Sequence, residues 1–430
     1  MVELFKRLFK GDRVIWIVFF LLCLYSLVFV YSATSTIAYK SASIISPIVR
    51  HAAFLGAGLV GILVFHNIPY GKFKWLGIAL PFVFILLLIT LKWGVEINGE
   101  RRWLEIFGIQ FQPSEIAKLS LISFIALLLS KRDILTDKQI FWTILTGAGL
   151  ICGAIFPTNG STALLLFGFT IIMMTIGQVS FKRISKLCIS LGAALMLFVM
   201  FLKFAPDSLV NSRFFPDRFV TWKSRIEKFS SDEPMVEENG KIKDEYFQVV
   251  HSQIAIAKGG VFGKGPGYGD QRDVLPQAFS DFIYSIILEE GGLILGVFLL
   301  FLYLVLLVRV GMIANKCKSL FPKFLVIGCG LLLGLQAIIN LAVAVHLIPV
   351  TGQPLPLISR GGTSTVISCV YIGIILSVSR FAANMGNEVD DFPEEEKKDE
   401  ENVLPITISE EDVANWVPDV SDDNLAKQRN

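Results

Sequence analysis

The sequence predicts an all-α integral membrane protein, with ten transmembrane helices and a large extracytoplasmic loop between the seventh and eighth. Three observations carry this. Charged residues make up 18% of the 430 and hydrophobic ones 53%, whereas a soluble domain carries roughly a quarter charged residues. Mean hydropathy is +0.62. The apolar residues, 35 Phe among them, fall into blocks of roughly 18–25, the length needed to cross a bilayer as helix. A soluble, disordered or collagen-like chain is excluded.

The spans fall at about 14–33, 47–66, 74–93, 114–131, 140–157, 161–178, 185–204, 282–308, 320–348 and 361–383. Backbone groups in lipid must be satisfied within the segment, which makes them helices. The first block is too long for the apolar region of a secretory signal and more spans follow, so it reads as an uncleaved anchor. Orientation comes from Lys and Arg in the short loops. Lys6, Arg7, Lys10 and Arg13, then Lys72 and Lys74, Lys131, Arg132 and Lys138, Lys182, Arg183 and Lys186, and Arg309, Lys316, Lys318 and Lys323 share one side. Lys40, Arg101, Arg102 and Arg360 lie on the other. Both termini are therefore expected in the cytoplasm.

Residues 1–383 form the membrane domain, within which 205–281 is the large extracytoplasmic loop. Residues 384–430 hold about 15 acidic against about 4 basic side chains, the composition of a disordered, acidic cytoplasmic tail. The six cysteines are scattered without a CxxC pair and read as small buried hydrophobes. Four isolated His argue against a metal cluster.

Chemistry concentrates on the outer face. Asn98-Gly99-Glu100-Arg101-Arg102-Trp103 is followed by Gln112-Pro113-Ser114-Glu115-Ile116-Ala117-Lys118. Arg101 and Arg102 break the positive-inside trend, and the guanidinium fork suits phosphate. Pro113 opens a helix, and Glu115 and Lys118, three apart, share a face at a span entrance. Interfacial snorkelling plus a helix-end ion pair is the competing reading. The run from Gly259 to Gly269, with Lys264, matches neither a Walker loop nor GxGxxG. It reads equally as a backbone nest for an anion or as a flexible loop.

Asp281 stands where the long loop enters a span. An N-cap would suffice, yet that position also keeps a carboxylate ionised and fit to act as a base. Glu289 and Glu290, two turns deeper, need partners, expected as Arg or Lys from a neighbouring helix. Pro349 to Ser364, with Arg360, reads as a re-entrant-like outer loop lining a cavity, or as a plain connector. The segment 205–281 interleaves Arg213, Phe214, Phe215, Arg218, Phe219, Trp222, Lys223 and Arg225. Residues 229–244 form an acidic insertion without an assignable role. Cations, a carboxylate and Gly-rich backbone on one face fit a lipid-linked anionic substrate. No nucleotide loop or zinc spacing is present.

Four stretches resemble one family. Asn98 to Lys118 is similar to its NGxRRW…QPSExxK signature. Gly259 to Gly269 and Leu275 to Gly291 are similar to its Gly-rich run and LPxxxxDFIF…EExG. Pro349 to Ser364 is similar to PxTGxPLPxxSxGGSS. In order and spacing, over residues 10–383, the chain resembles the SEDS family (shape, elongation, division and sporulation), which holds FtsW, RodA and SpoVE.

That resemblance implies a peptidoglycan glycosyltransferase polymerising lipid II outside the inner membrane, with a class B penicillin-binding protein and other division proteins as partners and no nucleic acid. The family's essential Asp matches Asp281. Its paired arginines match Arg101 and Arg102, and its SExxK charges match Glu115 and Lys118. By this reading Asp281 is the base. Arg101, Arg102, Glu115, Lys118, Lys264, Glu289, Glu290 and Arg360 contact substrate, and a divalent cation (Mg2+ or Mn2+) could share the diphosphate although no ligand set is visible. Departures are Ser280 for Thr, Tyr284 for Phe, Arg360 for Tyr, and Pro157-Thr158-Asn159-Gly160 for a turn that usually carries an acid. The wording at His251 to Gly260 and the tail are division-like, pointing to the septum. An elongation polymerase, a lipid II flippase and a non-catalytic division scaffold are the alternatives.

Overall fold

The computed structural model of the protein describes residues 9–34, 46–97, 100–106, 109–204, 223–224, 242–243, 246–275 and 278–390. The acidic tail beyond Asp390, most of the 205–245 segment and the 229–244 insertion but for 242–243 lie outside the described residues.

Helix α1 (Arg13–Ala33) starts at Asp12, whose carboxylate accepts from the amides of Val14 at 2.9 Å and Ile15 at 3.2 Å. An Asp at this place satisfies donors that the helix itself leaves open. Then come α2 (Ser46–Phe65), α3 (Lys74–Ile78) and α4 (Leu80–Trp93). A short 3-10 turn over Tyr70–Phe73 leads into α3, and the Tyr70–Ile78 stretch meets α4 at a bend of 51°. The predicted span 74–93 is thus two pieces, and Pro81 at the start of α4 accounts for the break.

Three short antiparallel strands follow, β1 (Val95–Ile97), β2 (Glu100–Ile106) and β3 (Ile109–Phe111), in the order β1-β2-β3. Then α5 (Pro113–Leu129), α6 (Asp137–Ile155), α7 (Gly160–Ile176) and α8 (Phe181–Phe204) complete the first part. A capping box between Thr136 and Gln139 starts α6, and Asn159 starts α7 by accepting from the Thr162 amide at 3.1 Å. After α9 (Phe247–Gly259) come the long α10 (Ile283–Lys316), α11 (Leu320–Ala344) and α12 (Thr363–Asp390).

Each of the ten predicted spans is therefore occupied by helix. Seven helices are long and apolar enough to cross a bilayer, and the bent pair makes an eighth. The other two, α5 and α7, are 17 residues each. In α5 nearly every face is buried, Leu121, Ile122, Ile125 and Leu129 completely. Lipid tails are as apolar as Leu, so packing and polar bonds must hold such a bundle. Ser120 and Ser123 of α5 supply two, donating to the carbonyls of Leu76 at 2.7 Å and Phe73 at 2.6 Å.

Two ends of the bundle are chemically different. At one end Arg309 reaches Asp12 at 2.7 Å, Arg183 reaches Asp137 at 2.7 Å and Arg380 donates to Asn67 at 3.1 Å. At the other end the strands, the 157–162 turn, the 246–281 segment and the 345–363 loop gather. All six cysteines are free thiols.

Candidate active site

Asp281 lies one residue before the N-cap of α10, which is Phe282, so it does not cap the helix. Ser280 donates to its Oδ1 at 3.0 Å. Its main chain is fixed from α11, where Asn340 donates to the Asp281 carbonyl at 3.0 Å and to the Gln353 carbonyl at 2.8 Å. The carboxylate is half-buried. It faces the 349–361 loop closely enough that a Cβ on Gly352 would sit 3.7 Å from Oδ2.

That loop is a rigid wall. Ser359 accepts from the Leu355 amide at 2.8 Å and donates to the Ser280 carbonyl at 2.6 Å, and the Arg360 amide donates to the Phe279 carbonyl at 2.9 Å. Tyr303 of α10 donates to Pro356, and Ser26 of α1 to Ile358. Gln353 is buried and donates to Thr162 at 2.7 Å, while Ser161 donates to the Thr351 carbonyl at 2.8 Å. Asn159 caps the helix that holds Ser161 and Thr162. Of the two sequence readings of this loop, the shaped wall is the one observed.

Arg101 and Arg102 are neighbours on β2, and alternate strand residues point to opposite faces. Arg101 is exposed and tied to the hairpin by Glu96 at 3.6 Å and the Lys92 carbonyl at 3.2 Å. Arg102 is half-buried. Both border a cleft with Gln112, Ser114 and Thr158. They reach this one cleft from opposite faces of the strand, Arg101 exposed and Arg102 half-buried. Thr158 joins this cleft to the turn that holds the 349–361 loop.

Glu115 and Lys118 form an ion pair of 2.6 Å with Lys118 only 2% exposed, so the pair is interior. Glu115 borders a small polar cleft under the loop, with Gln336, Pro356 and Ser368. The pair supports the wall from below rather than meeting solvent, and the snorkelling alternative does not describe it.

The Gly-rich run is neither a vacant nest nor a loose loop. Helix α10 is broken at Gly292, where φ is +68°. The run repairs the break. The amides of Lys264 and Gly265 donate to the carbonyls of Glu289 at 3.0 Å and Glu290 at 2.8 Å. The amides of Leu293 and Ile294 donate to Gly260 at 3.0 Å and Val261 at 3.3 Å. Freed backbone groups in a broken membrane helix need such partners. A Cβ on Gly263 would lie 2.3 Å from the Glu290 carbonyl oxygen, so only glycine fits there.

The anion that this run does hold is the protein's own. Glu289 is fully buried and accepts from the amides of Asp270 at 3.0 Å and Gln271 at 3.0 Å, with Lys264 at 3.3 Å. Glu290 accepts from Ser32 and from the Gly269 amide. The partners expected from a neighbouring helix thus come from the loop and from Ser32 of α1. Lys264 is also paired with Asp270 at 2.6 Å, as is Lys258 at 3.0 Å. Those two ammonium groups hold the Asp270 carboxyl down at about 2. Lys264 and Glu289 are thus paired with each other, while Glu290 is held by Ser32 and Gly269.

Arg360 is half-buried and stacks over Phe279 at 5.4 Å, two residues from Asp281 in sequence. Among the described residues no three His, Cys, Asp or Glu side chains form a metal ligand group.

The structure also shows what sequence reasoning missed. Helix α9 docks through Ser252, which meets Ser285 at 2.6 Å and donates to Ala344 at 2.8 Å. Its buried residues Ser252, Ala255 and Gly259 recur every three to four positions, a periodicity that was there to be read. The β1–β2 hairpin pairs Ile97 with Glu100, and the intervening Asn98-Gly99 is a strong hairpin signal.

A family model described as "Cell cycle protein", for FtsW, RodA and SpoVE, matches residues 12–384. The chain belongs to this family. It is 31% identical over 387 residues to a protein of Trichlorobacter lovleyi named "Probable peptidoglycan glycosyltransferase FtsW", covering 87% of this chain and 94% of that one. It is 30% identical to stage V sporulation protein E of Bacillus subtilis, over 86% of this chain and 97% of that one. Among solved structures, the fold is similar to Thermus thermophilus rod shape determining protein RodA, with a TM-score of 0.60 at 24% identity over 86% and 97% of the two chains. A second, with a TM-score of 0.66 at 22% identity over 86% and 98%, comes from work on a peptidoglycan synthase complex that coordinates polymerization and crosslinking.

Proposed function

We propose that the chain is a peptidoglycan glycosyltransferase that polymerises lipid II at the outer face of the bacterial cytoplasmic membrane, with Asp281 as its general base. One observation carries this reading: the neighbouring Ser280 and two segments distant in sequence converge to fix Asp281. The two segments are α11, through Asn340, and the 349–361 loop. A half-buried carboxylate with its main chain immobilised is placed to act on a bound substrate. The activity in the name of the Trichlorobacter lovleyi relative supports the same reaction class.

In that reaction Asp281 accepts the proton of the acceptor sugar's 4-hydroxyl as its oxygen bonds to the donor anomeric carbon. The bond from that carbon to the diphosphate breaks, and polyprenyl diphosphate leaves with the electron pair. Such base assistance contributes roughly 10²–10⁴-fold. Arg102, bordering the cleft, and Arg360, on the loop beside Phe279, are the cations assigned to meet the negative charge of the diphosphate.

The end that gathers Asp12, Arg183, Arg309 and Arg380 would face the cytoplasm, following the excess of Lys and Arg in its loops. A class B penicillin-binding protein and other division proteins are the expected partners, and the septum the expected location. Purified protein, with and without a class B penicillin-binding protein, incubated with lipid II tests the proposal. Glycan strands resolved on a gel support it. Lipid II carried across vesicle membranes without strand formation would instead support a flippase.

A further inference from the structure

The outer end of α2 brings two guanidinium groups to one corner of the protein, without an acidic partner among the described residues. Arg50, in the second turn of α2, is exposed and stacks over Phe54 at 5.9 Å. Gly362 lies against the same ring, since a Cβ there would reach Phe54 at 3.8 Å. Arg360, two residues before Gly362, stacks over Phe279 at 5.4 Å. Among the described residues neither guanidinium makes an ion pair with a carboxylate. The sequence places no Asp or Glu between Thr34 and Asn67, nor between Val345 and Asn387. Burial and the charge of Arg50 both hold the Arg360 guanidinium below its usual range.

Two like charges brought together at a membrane boundary, one of them half-buried, are costly unless an anion joins them. The Thr363 hydroxyl, one residue beyond Gly362, is buried and has no hydrogen-bond partner among the described residues. Planar guanidinium groups favour phosphate over a point-like anion. The α2 surface is only 22% buried, so an acyl or polyprenyl chain can lie along it while its head reaches the two arginines. We propose that Arg50 and Arg360 together bind the phosphate of a membrane-embedded lipid at the outer lip between α2 and α12. If that lipid is the polyprenyl diphosphate of the glycosyl donor or acceptor, the site extends the transferase reading and rests on it. If it is an anionic phospholipid, the site stands alone.

Full-length protein in detergent is titrated with undecaprenyl diphosphate, with dioleoyl phosphatidylglycerol, and with dioleoylglycerol as a phosphate-free control, and binding is read by native mass spectrometry. Wild type should bind at least one phosphate lipid in preference to dioleoylglycerol. Arg50→Gln and Arg360→Gln should each weaken it about tenfold or more, the loss of one charge-assisted bond. Arg50→Lys should fall between. Arg50→Glu gives Arg360 a carboxylate partner, so it should abolish binding while the melting temperature holds or rises. Lys182→Gln, at the opposite end, should change nothing. Weakening confined to undecaprenyl diphosphate names the substrate as the source, and weakening confined to phosphatidylglycerol names the bulk lipid. Equal binding by wild type and Arg50→Glu, or no phosphate preference in wild type, overturns the proposal. Binding is scored without turnover, so a protein that binds but makes no polymer keeps this site and loses the transferase reading.

Discussion

Lys264 holds Glu289 twice, by its amide to the Glu289 carbonyl at 3.0 Å and by its ammonium to the buried carboxylate at 3.3 Å. One contact mends the main chain of a broken helix and the other neutralises a charge inside it. The loop that ends at Asp281 is thereby clamped to the helix that begins there.

Replacing Glu289 by Leu removes the acceptor for the Asp270 and Gln271 amides and leaves Lys264 without its buried partner. Stranding such groups should cost about 2–5 kcal/mol. A fall in melting temperature in detergent checks this, and Glu289→Gln, which keeps an acceptor, should fall much less.

Gly263 sits at φ +75°, and an added Cβ would strike the Glu290 carbonyl. Gly263→Ala should cost at least about 1–3 kcal/mol from backbone strain alone. Hydrogen exchange at the Lys264 and Gly265 amides, which donate across the break, should quicken well beyond that at α5.

Asn340→Leu should lower turnover more than substrate affinity, because the Asn340 amide donates to the carbonyls of Asp281 and Gln353. Two lost hydrogen bonds of about 1 kcal/mol each predict a kcat decrease of order tenfold. An unchanged kcat in a steady-state polymerisation assay would show that Asn340 does not position the carboxylate.

The clamp should be sensitive to acid in one window. The Asp270 carboxyl is held at about 2, below its ordinary value of 3.8, by Lys264 and Lys258. A carboxylate with a depressed pKa contributes stability above its unfolded value, and the contribution is lost as pH falls towards the folded one. Exchange protection of the Gly-rich run should therefore persist above pH 4 and decline between about 4 and 2. Asp270→Asn should remove that step.

Much of this was legible. Helix occupies each apolar block of bilayer length, because lipid leaves the backbone few other solutions. The clustering of chemistry at one end followed from Lys and Arg counts, since the loops rich in them meet at the other. The partners of individual charges were not legible. Glu289 and Glu290 announced a need for compensation, but compensation by amides of Gly269, Asp270 and Gln271 has no side-chain signature. That Arg101 and Arg102 reach their cleft from opposite faces was hidden, because their strand lies in a segment read as loop. Arg50 drew no attention in the sequence, since its nearness to Arg360 depends on a contact more than 300 positions away.

The central claim is that Asp281 takes the proton during glycan polymerisation. The most direct measurement compares wild type and Asp281→Asn on lipid II with the partner penicillin-binding protein present, scoring strand formation per enzyme. The substitution keeps the shape and the Ser280 and Asn340 contacts, so the variant should melt like wild type. Its polymer yield should fall by at least about 10²-fold, the scale of a lost general base. A folded Asp281→Asn protein polymerising at the wild-type rate would contradict the account.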